Sequence, residues 1–479
     1  MDSNRKFSPK HLILTALLSA GVAIGGTYLV VEGNELFGSD TNSSNSTHQQ
    51  FAHVEDVFNF IKQNYVGEID ETALINGALS GMTDAIGDPY SNFLTGLSKD
   101  SIDETIEGEF EGIGATMSYA NDVPFIVEPP IKGSPAEKEG LRVNDKILKV
   151  DDKDITGQTL TEVVSQIRGE KGTQVKLTIE RDGKTFDVTL TRNVIPIESV
   201  YPEIASENKE IGIIRVTTFN GNTSDDFFKA VAKMRKEGAK RFVIDLRDNP
   251  GGSLQEVSKM ASAFLKEDQI IFQVEDGQGN REKVEADKSF DNGNKITEPV
   301  VVLVNGNSAS ASEIFAAAIK ENERGKVMGD TTFGKGTMQT VQPLTEDTEL
   351  KLTVNKWLTP KGNWINEKGL EPTIEVKTPD YYSVMVMDKS NSMQLGSSGD
   401  SVKSLNVMLQ ALGYEVDKDS DQFSEKTQVA VETFQASKKL TVDGIVNKET
   451  ANQIEKNVYQ FMQENDQQLD EAIKQLSKS

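Results

Sequence analysis

The sequence has no cysteine and only three histidines among its 479 residues. Without cysteine there is no disulfide, no thiol nucleophile and no Cys-ligated zinc or iron–sulfur site. The histidines are His11, His48 and His53, all near the N-terminus. The rest of the chain has no imidazole, which excludes a Ser-His-Asp triad and a His-ligated metal there. Chemistry in that body falls to Ser, Thr, Lys, Tyr, Asp or Glu. Positive charge is also scarce: 51 Lys and Arg stand against 75 Asp and Glu, a formal net charge of -24. Such a surface repels nucleic acid, so no nucleic-acid partner is expected. The acidity itself names no partner and serves solubility.

Long apolar runs are nearly absent, with one exception. Leu12 to Val31 carries no charged side chain, and Arg5, Lys6 and Lys10 precede it. About 20 apolar residues span a bilayer core, and the flanking positive charge keeps the N-terminus inside. The expectation is a single-pass membrane anchor, with the membrane as a partner and the body outside the cytoplasm. Residues 1–34 are read as cytoplasmic N-terminus and anchor, and 35–50 as a polar linker.

Four further stretches differ in pattern. In residues 51–104, Val54, Val57, Phe58 and Ile61 recur at helical spacing and predict one buried stripe. This helical region packs on the body or pairs with a second copy of the chain as a homodimer. In residues 105–192, Val175, Leu177 and Ile179 alternate with polar residues, Asp182-Gly183 turns, and Phe186, Val188 and Leu190 alternate again. That pattern predicts a hairpin, in a small strand-rich domain with two helices. Residues 193–380 alternate strands and helices, which implies an α/β domain. After a linker at 381–395, residues 396–458 form a small helical unit, and 459–479 is a charged, Gln-rich tail read as a frayed helix.

Chemistry points to three segments. Ser308-Ala-Ser-Ala-Ser-Glu-Ile314 follows a buried strand and opens a helix with small residues. Such a turn exposes a serine hydroxyl beside outward-pointing N–H groups; the alternative is a cluster that only caps and packs the helix. With no histidine available, a lysine is the candidate base, and burial must lower its pKa for it to accept a proton. Lys335, between Gly334 and Gly336 beside Phe333, suits that need, although Gly-Lys-Gly is commonly a surface turn. Gln339 lies within reach of the amine. Asn249-Pro-Gly-Gly252 ends another buried strand and offers free N–H groups, or only a strand-to-helix turn.

Taken together, Asp245-Leu-Arg-Asp-Asn-Pro-Gly-Gly252, Ser308 to Ile314 and Phe333-Gly-Lys-Gly-Thr-Met-Gln339 resemble the C-terminal processing (tail-specific) peptidases of family S41. Lys335 follows Ser310 by 25 residues, as in that pattern. The resemblance implies Ser310 as nucleophile, Lys335 as general base and Gln339 as its orienter. It also implies an oxyanion hole from Ala311 and one glycine of Gly251-Gly252. The fold it implies is multidomain, α/β and α+β. It comprises a crotonase/ClpP-like protease core with an inserted PDZ domain, an N-terminal membrane anchor and a small C-terminal helical domain. No metal or organic cofactor is indicated.

Residues 105–192 resemble the PDZ domain of this family. Gly112, Ile113, Gly114 and Ala115 match its carboxylate-binding loop, beside which a peptide adds as a strand. Arg168 matches the position that can link peptide binding to the active site; a plain surface arginine is the alternative. Residues 396–458 resemble a peptidoglycan-binding domain, through Leu409-Gln-Ala-Leu-Gly-Tyr414, Thr427 to Gln435 and Asp443-Gly444. Asp421-Gln-Phe423 and Lys439-Leu440 depart from its pattern. The implied function is a serine endopeptidase that cleaves exported proteins near unstructured C-termini, with peptidoglycan as a further partner. Envelope maintenance or signalling proteolysis, such as in sporulation, fits a Gram-positive cell. The competing reading is a non-catalytic PDZ and wall-binding adaptor.

Overall fold

The computed structural model describes residues 28–30, 44–120, 123–382, 387–417 and 419–478. Its centre is the strand Val300–Val304, five aliphatic residues buried on both faces. An uncharged β-branched run of this kind belongs in the interior of a parallel sheet. The strand lies between Arg241–Asp245 and Lys326–Gly329, both parallel to it. Ile211–Val216 continues the parallel order, Val200–Ile204 closes that edge antiparallel, and Ile374–Glu375 closes the other.

Alternation divides the side chains of this sheet between two faces. Val300, Val302 and Val304 face the helices Leu254–Phe264 and Ala311–Glu321. Val301 and Leu303 face Leu469, Ala472 and Ile473 of the C-terminal helix Gln467–Ser477. The expected frayed tail is thus a cover for the second face of the sheet. Its apolar residues recur at helical spacing, and the naked sheet face supplies their partner.

A second sheet is built on the long hairpin Thr337–Thr345 and Thr348–Leu358. Ile270–Glu275 and Arg281–Glu285 extend it on one side. Asn92–Thr95 pairs antiparallel with the start of Thr348–Leu358, and Leu94 and Ile102 pack on Val341. This layout corrects the crotonase/ClpP-like core expected above. Apart from Asn193–Pro196, which pairs with Glu109–Gly112, the strands of 193–380 divide between two sheets, and the second sheet takes in Tyr28–Val30 and Asn92–Thr95 from outside that range.

The buried stripe expected in the N-terminal helix is also corrected. In Ser44–Asn64, Val54 and Val57 are exposed, as are Phe51 and Phe60. The contact with the body comes instead through the strand and helix that follow.

The membrane anchor is corrected too. Most of Leu12 to Val31 lies outside the described residues, as does much of the 35–50 linker. The described part of the run, Tyr28–Val30, is an extended strand paired parallel with Gln339, Thr340 and Val341. A span needs a continuous helix that satisfies its own backbone. Among the described residues, no helix is long and apolar enough to cross a membrane. The expected single-pass localisation and membrane partner are thus without a spanning helix among the described residues.

Residues 105–192 hold a separate core of Ile126, Ile147, Leu177, Ile179 and Leu190. The predicted hairpin is Gln174–Arg181 with Lys184–Thr191, turning at Asp182 and Gly183, both at positive φ. Helix Leu160–Ile167 is closed by a Thr159/Glu162 capping box. Helices Asp400–Ala411, Glu425–Lys438 and Lys448–Glu464 enclose a third core around Leu405, Phe423 and Phe434. Lys439 caps the middle helix in the left-handed conformation, at φ 58. Glycine adopts that conformation most readily, which accounts for the Gly-Leu of the usual pattern that Lys439-Leu440 replaces here. The 381–395 stretch is packed at its start: Tyr381 stacks on Tyr382 at 5.3 Å and meets Phe461 edge-on at 5.7 Å.

Candidate active site

Ser310 sits where strand Val300–Val304 turns into helix Ala311–Glu321. Its neighbours are tied down. Ser308 Oγ donates to Leu246 O at 2.8 Å, and Ser312 Oγ donates to Asn249 O at 2.9 Å. Ser310 differs from both: its Oγ is buried and has no hydrogen-bond partner. Its backbone is at φ 55, ψ -113, an uncommon conformation for a residue with a side chain. Such strain persists only where the surroundings over-determine it.

Glu313 supplies that constraint. Its buried carboxylate accepts four donors from the two segments that matter. Oε2 takes the N–H of Ser310 at 2.8 Å and the N–H of Lys335 at 2.9 Å. Oε1 takes the N–H of Gly334 at 2.7 Å and the hydroxyl of Thr332. One oxygen atom therefore joins the backbone of Ser310 to that of Lys335. Burial pushes the Glu313 carboxyl up, against these hydrogen bonds, which favour the ionised form.

Lys335 is 1% exposed. Its carbonyl accepts from Trp357 Nε1 at 2.7 Å, and its Nζ lies 4.2 Å from the Tyr90 ring centroid. Burial, reinforced by the nearby cation Lys351, lowers its pKa to about 7, while Asp88 and Glu313 oppose the shift. Lys351 is itself fully buried and lowered to about 8, again by burial. Burial pushes the Asp88 carboxyl up, but bonds from Ser91, Thr353 and Tyr90 outweigh this and hold it below its usual value. Tyr90 and Asp88, beside Lys335, thus come from the N-terminal region, which nothing in their local sequence signals.

The glycine turn is pressed against Ser310. A β-carbon on Gly251 would lie 2.9 Å from Ser310 Cβ and 3.0 Å from Ala311 N. One on Gly252 would lie 2.2 Å from Phe219 O. Both glycines are at positive φ, 108° and 137°. The Gly251 N–H is donated to Asn249 Oδ1 at 2.9 Å. The amides of Gly252 and Ala311 donate to no protein acceptor among the described residues.

Gln339 is fully buried in strand Thr337–Thr345. Its Nε2 donates to Thr353 Oγ1 at 2.9 Å and Thr337 Oγ1 at 3.1 Å, and its Oε1 has no hydrogen-bond partner. The acceptor end is the free one.

The PDZ-like residues lie apart from this cluster. Gly112 ends strand Glu109–Gly112, which pairs with Asn193–Pro196. Ile113 O and Gly114 O accept from Ala136 and Ile131 N–H, both at 2.9 Å. Gly114 is at φ 75, and a β-carbon there would strike Ser134 Cβ at 2.4 Å. Beyond Ala115, Met117–Ala120 is the edge strand of its sheet and faces helix Leu160–Ile167. Arg168 caps that helix, pairs with Glu104 and lies 5.0 Å from the Phe110 ring centroid. It contacts none of Ser310, Lys335 and Gln339.

A buried, partnerless serine tied through one carboxylate to a lysine lowered to about 7 is the arrangement on which the comparisons bear. The peptidase family S41 model matches residues 210–376. The N-terminal domain of the activating protease CtpB matches 20–96, a PDZ domain 126–181, and a peptidoglycan-binding domain 398–454. The carboxy-terminal processing protease CtpA of Bacillus subtilis is 37% identical over 468 residues, 98% of each chain.

The chain belongs to the S41 carboxy-terminal processing proteases.

Another member, a CtpA-like serine protease of Staphylococcus aureus (strain COL), is 37% identical over 88% of this chain and 84% of that one. Among solved structures, the photosystem II D1 C-terminal processing protease is 26% identical. It covers 79% of this chain and 94% of that one, at a TM-score of 0.40. As an S41 member, the chain is a serine-type endopeptidase that acts on C-terminal substrates through its PDZ domain. Its core is the S41 peptidase fold with a PDZ insert, in place of the crotonase/ClpP-like core inferred from the resemblance.

Sequence reading missed Glu313, Asp88, Tyr90 and Lys351. Glu313 had a signal, because Ser310-x-x-Glu313 is a capping-box pattern. Lys351 had none: one lysine in an alternating strand does not announce its burial.

Proposed function

We propose that Ser310 is the nucleophile and Lys335 the general base of a Ser-Lys endopeptidase. The observation that carries this reading is the shared Glu313 oxygen, which ties the backbone of the residue with the partnerless hydroxyl to the backbone of the residue with the low-pKa amine. Neutral Lys335 Nζ takes the proton from Ser310 Oγ as that oxygen attacks the scissile carbonyl. Negative charge develops on the carbonyl oxygen, where the amides of Ala311 and Gly252 can donate to it. Gly251 shapes the turn, with its own N–H spent on Asn249. Collapse breaks the C–N bond, and the leaving amine takes the proton from Lys335. A water, deprotonated by Lys335, then releases the acyl group from Ser310. Gln339 Oε1, buried without a hydrogen-bond partner, is the acceptor we assign to the lysine amine, as its orienter.

The domains divide the work. Residues 105–192 select substrates, with a free C-terminal carboxylate on the N–H groups of Gly112 to Ala115 and the peptide added beside Met117–Ala120. Arg168, now held by Glu104, is the residue through which that binding reaches the 193–380 core. Residues 396–458 hold the enzyme to peptidoglycan. Substrates are therefore exported proteins with unstructured C-termini, cut in envelope maintenance or signalling such as sporulation. The test is cleavage of an unstructured protein with a free apolar C-terminus. Wild type should cut it, and Ser310→Ala and Lys335→Arg should not, while both stay folded. A guanidinium does not deprotonate in this range, so an active Lys335→Arg enzyme would rule out the base assignment.

A further inference from the structure

Arg247 lies between the strand Arg241–Asp245 and the turn that carries Gly251 and Gly252. Its guanidinium is gripped from two sides. Asp245 receives Nε at 2.9 Å and a terminal nitrogen at 2.7 Å. Asp466, at the start of the C-terminal helix, receives both terminal nitrogens, at 2.7 and 2.8 Å. Asp466 also caps its own helix, accepting from Leu469 N–H at 3.0 Å. Gln468 completes the contact. Its Oε1 accepts from Arg247 at 3.2 Å, and its Nε2 donates to Val376 O at 2.6 Å and to Asp330 Oδ2 at 3.3 Å.

Asp330 follows the strand Lys326–Gly329 and precedes Thr332, whose hydroxyl is bound to Glu313. The first turn of the C-terminal helix therefore touches both loops that the site depends on. One leads to Gly252 and the other to Lys335. The apolar face of the helix covers the sheet without help from these polar groups. Replacing a buried ion pair by apolar residues is often neutral or stabilising, so stability alone does not explain it. A bidentate arginine–carboxylate pair adds fixed direction, and catalytic loops need placement within a fraction of an ångström.

We propose that Asp466 and Gln468 are positioning residues for the peptidase reaction, acting through Arg247 and Asp330 on the loops that bear Gly252 and Lys335. The inference rests on the Ser310–Lys335 reading given above. It also makes the C-terminal helix, which follows directly on the helix Lys448–Glu464, part of the catalytic unit.

The test uses the full chain with Asp466→Asn, Gln468→Ala and Asp466→Glu, and with Ser310→Ala as the control. In Asp466→Asn, kcat should fall about tenfold or more, with KM within about twofold and thermal unfolding still above the assay temperature. Asp466→Glu should recover most of the loss, because it keeps the charge. Gln468→Ala removes no charge and should lower kcat in the same direction if Asp466→Asn does not fold. Unchanged kcat in both Asp466→Asn and Gln468→Ala, with only a lower unfolding temperature, would overturn the inference and leave the helix structural. Equal turnover by wild type and Ser310→Ala would overturn the catalytic reading, and this inference with it.

Discussion

At the residue scale, the site depends on burying a group that prefers water. Lys335 titrates near 7 in the folded chain, against about 10.4 when unfolded. The unfolded state therefore binds more protons between these values, and stability rises as pH increases from about 7 to about 10.4. Below pH 7 the buried ammonium is a standing cost. Lys335→Met should abolish turnover yet stabilise the protein by about 1–4 kcal/mol at pH 6, read by urea denaturation. With Lys335 as the proposed base, the same titration governs activity. kcat/KM should climb through pH 7 as neutral Lys335 accumulates, then level off. Lys351→Met removes a repelling cation, so the Lys335 pKa rises and the acid limb of the pH profile moves to higher pH. An unmoved limb would show that Lys351 plays no part in tuning the base.

At the element scale, two segments that the sequence left peripheral complete the protease. Asn92–Thr95 adds a strand to the second sheet, and the residues just before it bring Asp88 and Tyr90 to Lys335. Helix Gln467–Ser477 covers the outer face of the first sheet. Neither role is local. A strand edge and an apolar helix face show that a partner exists without saying where it lies. Leu469 is 2% exposed against that sheet. Leu469→Ala should cost about 2–5 kcal/mol by chemical denaturation of the whole chain. A loss under 0.5 kcal/mol would mean that the helix does not hold this place in solution.

At the scale of the whole molecule, selection and cutting sit on separate cores. The edge strand Met117–Ala120 is open to a peptide, while Ser310 is buried in the neighbouring core. Binding by the selecting domain should therefore survive loss of the proposed nucleophile. In Ser310→Ala, a peptide with a free C-terminus should bind at least about tenfold tighter than its amidated form. Calorimetry giving equal affinity would dismiss carboxylate capture by Gly112 to Ala115.

The absence of histidine beyond His53 left a serine peptidase with lysine as the available base. The segments around Gly251, Ser310 and Lys335 were legible because strand-to-turn-to-helix patterns are local. So were the hairpin at Asp182-Gly183 and the capped helices, whose hydrogen bonds close within a few residues. Apolarity alone read Leu12 to Val31 as one helix, whereas its described part, Tyr28–Val30, is a strand, because an uncharged run suits a span and a sheet strand equally. Only the tertiary structure decided what surrounds Lys335, since desolvation and like charge depend on which distant residues fold over it. It also decided which face the C-terminal helix covers and which glycine amide stays free, because burial and hydrogen-bond competition exist only once the chain has packed.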